Sequence, residues 1–273
     1  MDALSRAGTW VATALGRESL PVRLLRPAFE AALDASTLWH GVAWSVNGEP
    51  IRIDPRVRRW VPRVTEPEVF ALLQGSIAPG EVVLDVGAFL GIYAVLEARW
   101  AGERGRVVAF EPTPRSARLA ERHLRLNGVR ERATVVAAAV GSTVGVADLT
   151  VHDDAFVNRI GVPHPGRAAR GTVRVSVTTV DAYCAMHGLE PDWIRVDVQG
   201  HEVEVLHGAR ETIARRGSRL RIVVEMHPSL WPSCGLSREA VAAALAGLGL
   251  DVQPVAPGAD PFAPDGHALL IPR

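Results

Sequence analysis

Five short stretches of this sequence are apolar at nearly every position. They are "VVLDVG" (82–87), "RVVAFEP" (106–112), "ATVVAAAVG" (133–141), "DWIRVDV" (192–198) and "RIVVEM" (221–226), with a sixth, "HALLI", at 267–271. A strand with one wet face alternates apolar and polar residues, whereas a continuous apolar run is covered on both faces. Helical patterns separate the runs, near Gly91–Trp100, Arg115–Asn127, Glu202–Arg215 and Ser237–Leu248. Strand–helix alternation of this kind predicts an α/β domain, a mostly parallel sheet with helices on both faces. With 273 residues, 48% of them hydrophobic, the chain has the material for a sizeable core.

The first 64 residues do not follow this rhythm. Helical patterns run over Leu4–Leu15 and Pro27–Leu38, and "VAWSVNGEPIRID" then carries Asn47-Gly48 between alternating apolar residues, a strong hairpin signal. Residues 1–64 are therefore read as a helical and hairpin extension, serving as one wall of an acceptor site or as a homo-oligomer contact. Residues 65–273 form the main domain and begin with a helix over Glu66–Ser76. Within that domain 142–181 breaks the alternation. "VADLTVHD" and "TVRVSVTTV" flank the Gly/Pro/Arg-rich "GVPHPGRAARG", which reads as a β-excursion with a mobile tip, placed to act as a lid.

Composition removes several functions. The formal net charge is zero, so neither nucleic acid nor an anionic membrane is an expected partner. All 30 basic residues are Arg; without lysine there is no Schiff-base chemistry on pyridoxal phosphate and no P-loop. Cys184 and Cys234 have no zinc or CxxC spacing and read as reduced thiols of a cytoplasmic protein. No apolar stretch reaches the ~18 residues of a membrane span, and the N-terminus lacks the basic and apolar blocks of a signal peptide.

The first apolar run opens the most informative motif, Asp85-Val-Gly87-Ala88-Phe89-Leu-Gly91. A dinucleotide loop needs glycine where Phe89 stands, so that a pyrophosphate can approach the backbone. Asp85 suits a ligand with a cationic ammonium group better than one with two phosphates. The second run ends in Glu111, where folds of this type bind both ribose hydroxyls. A nucleoside with an amino-acid tail and no pyrophosphate satisfies both clues, and that ligand is S-adenosylmethionine. Its expected contacts are Asp85, Gly87, Ala88, Gly91, Glu111, Pro112 and Ala138.

"DVGAFLGIYA", "AFEPTP", "VRVSVTTVDAY", "IRVDVQGHEVEVLHGA" and "IVVEMHP" together resemble the FkbM family of S-adenosylmethionine-dependent methyltransferases over roughly residues 50 to 230. The resemblance implies a Rossmann-like class I methyltransferase fold, seven-stranded with an antiparallel last strand. It also implies methyl transfer to a hydroxyl of a small acceptor such as a natural product or sugar. The family's usual D-x-E-G-x-E reads Asp197-Val-Gln199-Gly200-His201-Glu202 here, with Gln in place of a common Glu.

Ligands of open α/β sheets bind beyond the carboxyl ends of the strands. Asp197 and His201, after the fourth run, and Glu225 and His227, after the fifth, are therefore the candidate catalytic residues. Asp197, His201 and His227 are the candidate bases; Glu202, in the first turn of a helix, reads as structural or catalytic. A divalent metal such as Mg²⁺, held by Asp197 and Glu225 with a histidine, is the rival account of the cluster. Two other readings stay open: a catalytically silent binding subunit on the same fold, and a nicotinamide oxidoreductase.

Overall fold

The computed structural model describes residues 27, 28, 32, 35, 37–152, 158–161, 163–264 and 266–273. The helix expected over 4–15 lies outside them, as does most of that over 27–38, of which residues 27, 28, 32, 35 and 37 are helical. The chain forms two compact units, residues 1–67 with 125–128, and residues 68–124 with 129–273.

In the first unit, β1 (Val42–Val46) pairs antiparallel with β2 (Glu49–Ile53). Asn47 and Gly48 both have positive φ, 48° and 89°, the type I′ geometry that matches the twist of the flanking strands. Asn47 also bonds the backbone of Thr65 through both ends of its amide. A 3₁₀ helix follows at Pro55–Trp60, capped by Asp54, whose buried carboxylate is paired with Arg56.

The second unit is built on seven strands: β3 (Val82–Val86), β4 (Arg106–Phe110), β5 (Ala133–Val136), β10 (Trp193–Val196), β11 (Arg221–Met226), β12 (Leu250–Pro254) and β13 (Gly266–Pro272). Their order is β12-β13-β11-β10-β3-β4-β5. β5, β4, β3, β10 and β11 are parallel; β13 runs antiparallel to both β11 and β12. Leu84, Val86, Val108, Phe110, Ile194, Val196, Ile222 and Val224 point to one face. There they form a single core with α4 (Val180–His187), α5 (Glu202–His207), α6 (Arg210–Arg216) and α7 (Arg238–Gly247). The alternate residues of β3 and β4 meet α2 (Ile92–Trp100), after α1 (Pro67–Ser76) and before α3 (Pro114–Leu126). Cover on both faces is what the continuous apolar runs require.

The segment after β5 leaves this sheet. β6 (Ala139–Val140), β7 (Gly145–His152), β8 (Arg159–Ile160) and β9 (Ala169–Thr178) make a separate four-stranded sheet in the order β6-β9-β7-β8. The run at 133–141 is thus shared between two sheets, and Ala138 lies at the step. The expected helix over Glu202–Arg215 is two helices, α5 and α6, separated at Gly208-Ala209. Among the described residues no helix is long and apolar enough to cross a membrane.

Candidate active site

The adjacent strands β3 and β10 end side by side, and their loops touch. A Cβ added to Gly87 would lie 1.8 Å from the Asp197 carbonyl oxygen, a separation no side chain tolerates. Gly87 has φ 87° and donates, with Ala88, to the Phe110 carbonyl. Two non-glycine residues next to this contact are left-handed, Phe89 (φ 48°) and Gln199 (φ 53°). Such backbone costs on the order of 1–2 kcal/mol per residue and is concentrated where ligands are clamped.

Glu111 fixes the first loop. Its carboxylate accepts from Phe89 N at 3.0 Å and from Thr113 N at 2.7 Å. Burial raises its pKa to about 7, against those hydrogen bonds, and the Asp197 charge adds to the rise. Two backbone donors leave lone pairs on both oxygens for hydroxyls. Ala88, Pro112 and Ala138 stand at the same edge, at the ends of β3, β4 and β5, and Gly91 begins α2.

Asp85 lies deeper than its sequence position suggests. It is fully buried beside Arg195, whose Nη1 lies 3.2 Å from Asp85 Oδ1 and whose Nη2 lies 3.2 Å from Asp197 Oδ2. The guanidinium also stacks 4.1 Å from the Tyr93 ring centroid. Glu97 of α2 is buried on the same side, and burial together with Asp85 raises its pKa well above the carboxylate range. Arg195 therefore links the two strand-end acids. The sequence carried a signal for it: a charged residue inside an apolar run, in register with Asp85 once β3 and β10 pair.

A second cluster, beyond the ends of β10 and β11, centres on His227. Its Nδ1 is 2.7 Å from Glu202 Oε1. Glu202, itself buried, also accepts from Gly200 N at 2.7 Å and from the Trp231 indole at 3.0 Å. Burial alone lowers the imidazole pKa, but Glu202, then Asp197 and Glu225, raise it to about 9. Nε2 lies 3.9 Å from Asp197, 3.8 Å from Glu225 and 2.9 Å from the Gln199 amide nitrogen. That amide placement suits a neutral ring; the cation requires Gln199 turned over, its oxygen facing Nε2. Burial pushes Asp197 up, yet Arg195, His227 and a hydrogen bond with Glu225 outweigh it and hold the carboxyl below its usual value.

Asp197, Glu225 and His227 thus converge, their ligand atoms all within 4.8 Å of one another. His201 does not join them. No hydrogen bond or ion pair connects it to the three. It instead lines a cleft of about 480 Å³ with Ala139, Val146, Ile160, Glu204 and Cys234. Burial and the Arg159 charge lower its pKa. Gln199, Glu202 and Arg195 are the residues in contact with the Asp197–Glu225–His227 cluster that the motifs passed over or left undecided.

An antiparallel strand set between β11 and β12 is foreign to the dinucleotide order 3-2-1-4-5-6, which removes the fold basis for a nicotinamide enzyme. It is the arrangement expected of the Rossmann-like class I methyltransferases, and the molecule has that fold. Within that class the chain belongs to the FkbM methyltransferase family: the family model described as "Methyltransferase FkbM domain" matches residues 85–240. It is similar to the hexuronic acid methyltransferase AglP of Haloferax volcanii, 29% identical over 177 residues. That match covers 61% of this chain and 64% of the relative's length. Among solved structures it is similar to cofactor-bound Rv0187 from MTB (21% identity, TM-score 0.46, covering 99% of this chain and 98% of that one). It is also similar to Aeropyrum pernix fibrillarin with bound S-adenosyl-L-methionine (16% identity, TM-score 0.43, covering 86% and 84%).

Proposed function

We propose that the chain is an S-adenosylmethionine-dependent O-methyltransferase acting on a hydroxyl of a small molecule, in particular a sugar unit. The observation that carries this reading is the chain of groups Glu202–His227–Asp197, standing beside the glycine loop that Glu111 shapes. The similarity to the Haloferax volcanii hexuronic acid methyltransferase supports a sugar acceptor.

The cofactor supplies the methyl group, and the protein supplies position. Glu111 would receive the ribose hydroxyls, and Gly87, Ala88, Gly91, Pro112 and Ala138 would form the rest of the cofactor floor. Asp85 acts through Arg195, which matches its charge and aims Asp197, rather than through an ammonium contact of its own. Asp197, ionised at neutral pH, accepts the hydrogen bond of the acceptor hydroxyl and takes its proton as the methyl passes from sulfur to oxygen, the S–C bond breaking as the O–C bond forms and S-adenosylhomocysteine leaving. Glu202 holds the His227 ring, whose positive charge compensates the paired carboxylates. Such a base contributes roughly 10²–10⁴-fold, and orientation contributes more.

A divalent ion also fits the donor set. Asp197, Glu225 and His227 would hold it, with Glu202 fixing the ring through Nδ1, and it would make the bound hydroxyl more acidic. Two carboxylates and an imidazole suit Mn²⁺, Fe²⁺ or Zn²⁺ better than Mg²⁺, whose sites are oxygen-rich.

Calorimetric titration with S-adenosylhomocysteine, with NAD as control, tests the cofactor. Mass-spectrometric search for a methyl gain on hydroxylated sugars, with and without chelator, tests the reaction. Binding without turnover on any acceptor would favour the silent subunit; no binding at all would end the reading.

A further inference from the structure

The separate β-sheet contributes one side chain that methyl transfer leaves unexplained. Arg159, on β8, is only 1% exposed. A guanidinium offers five N–H donors in a rigid fork and no acceptor. Nη1 donates to Ser233 Oγ at 2.9 Å and Nη2 to Cys234 Sγ at 3.0 Å, while Nε is buried with no partner. Both partners are neutral, and a thiol is a weak acceptor. Among the described residues no carboxylate pairs with this cation. A buried charge left unpaired is strongly unfavourable.

The guanidinium sits one layer behind a cleft, covered by residues that line it. Its neighbour Ile160, its partners Ser233 and Cys234, and Gly200 and His201 all line the cleft of about 480 Å³. A Cβ on Gly200 would stand 3.2 Å from Nη2, so the glycine after Gln199 lets the guanidinium reach the turn that follows β10. His201 Nδ1, on the same wall, is likewise buried without a hydrogen-bond partner. One unsatisfied nitrogen, on His201, thus lies in a residue of the cleft wall, and the other, Arg159 Nε, lies in the side chain held by the wall residues Ser233 and Cys234, next to the turn that follows Asp197.

We propose that Arg159 is an anion subsite of the acceptor site, taking a carboxylate or phosphate carried by the molecule to be methylated. The fork matches either oxyanion in two parallel hydrogen bonds, which a lone ammonium does not. The subsite deepens the methyl-transfer reading and rests on it: the anion anchors the acceptor so that a hydroxyl elsewhere on it meets Asp197.

The test uses the whole chain saturated with S-adenosylhomocysteine, titrated calorimetrically with glucuronate, glucose 6-phosphate and glucose. These share a pyranose and differ in bearing a carboxylate, a phosphate or neither. At least one anionic sugar is expected to bind roughly tenfold tighter than glucose or better, and which one gains identifies the oxyanion. Arg159→Gln should erase that advantage and leave affinity for S-adenosylhomocysteine unchanged. If neither anionic sugar exceeds glucose with wild-type protein, the subsite is wrong; the same holds if Arg159→Gln keeps the advantage. Should Arg159→Gln not fold, the wild-type comparison still decides. Ser233→Ala, which removes the hydroxyl that holds Nη1 in place and so lets the fork swing out of register, is then expected to reduce the advantage, and an unchanged advantage overturns the proposal. Loss of S-adenosylhomocysteine binding by the wild type would instead overturn methyl transfer itself.

Discussion

Asp197 and Glu111 are both strand-end acids, yet their surroundings push them in opposite directions. Arg195 and His227 keep Asp197 ionised, whereas burial lifts Glu111 to about 7. Asp197→Asn preserves shape and removes the charge that receives the acceptor's proton. We expect S-adenosylhomocysteine affinity near wild type and turnover lower by ~10²-fold or more; near-normal turnover in the folded variant would refute the assignment. Glu111 makes a different prediction. Ribose hydroxyls donating to its carboxylate favour the ionised form, so binding at pH 6.5–7 must release protons. Calorimetry in two buffers of unlike ionisation enthalpy should show this release, and Glu111→Gln should abolish it while weakening the cofactor. Identical heats in both buffers would mean that Glu111 does not face the ribose. Both acids were legible as strand ends. The burial of Asp85 was not, because it depends on Arg195 lying opposite once two strands 110 residues apart are paired. Arg159 was less legible still, as nothing local distinguishes one arginine among 30.

At the scale of elements, legibility followed hydrophobic pattern. The doubly covered strands announced themselves as apolar runs, and the Asn47-Gly48 hairpin by its turn chemistry. β12 was missed: Leu250–Pro254 is a largely exposed edge strand, reads "LDVQP" and offers no run. The break between α5 and α6 was missed for another reason, since Gly208 is a packing requirement and not a periodicity. A Cβ there would lie 2.0 Å from the Gly141 carbonyl oxygen, at the point where β6 leaves for the second sheet. The Gly208 carbonyl also accepts from Asp181 N at the start of α4. Gly208→Ala should therefore force α5 and β6 apart, costing about 1–3 kcal/mol as other overpacked sites do, or roughly 2–10 °C in melting temperature. Differential scanning calorimetry reads the shift. An unchanged melting temperature would show that this junction gives way easily, and that the α5 N-terminus carrying Glu202 is less firmly placed than the contact implies.

Over the whole molecule the buried groups of the site set how stability responds to pH. Glu97 and Glu111 have raised pKa values, so the folded state holds protons that the unfolded chain has released. Their contribution is complete below about pH 4.5 and fades as pH rises, for Glu111 through about 7. His227 behaves in the same sense in a higher window: its contribution is complete below about 6.5 and is lost as pH rises through about 9. His152 and His201 are depressed and oppose this, but only where pH falls below about 6.5, since above it they are neutral whether folded or not. Between pH 7 and 9 His227 loses this contribution, in the same sense as the buried Glu97 and, toward pH 9, the Cys184 thiol that burial holds up at about 11, so the melting temperature of the ligand-free protein should fall across that interval. The ion pair of His227 with Glu202 and its proximity to Asp197 and Glu225 are the cause of its share, so His227→Gln, which does not titrate, should flatten the slope. Turnover should fall over the same interval, because the charge that compensates three carboxylates disappears. A melting temperature that holds or rises from pH 7 to 9 would show that His227 is neutral at neutral pH. The Gln199 amide then stays as placed, donating to Nε2, and the imidazole, not Asp197, becomes the group able to take the acceptor's proton.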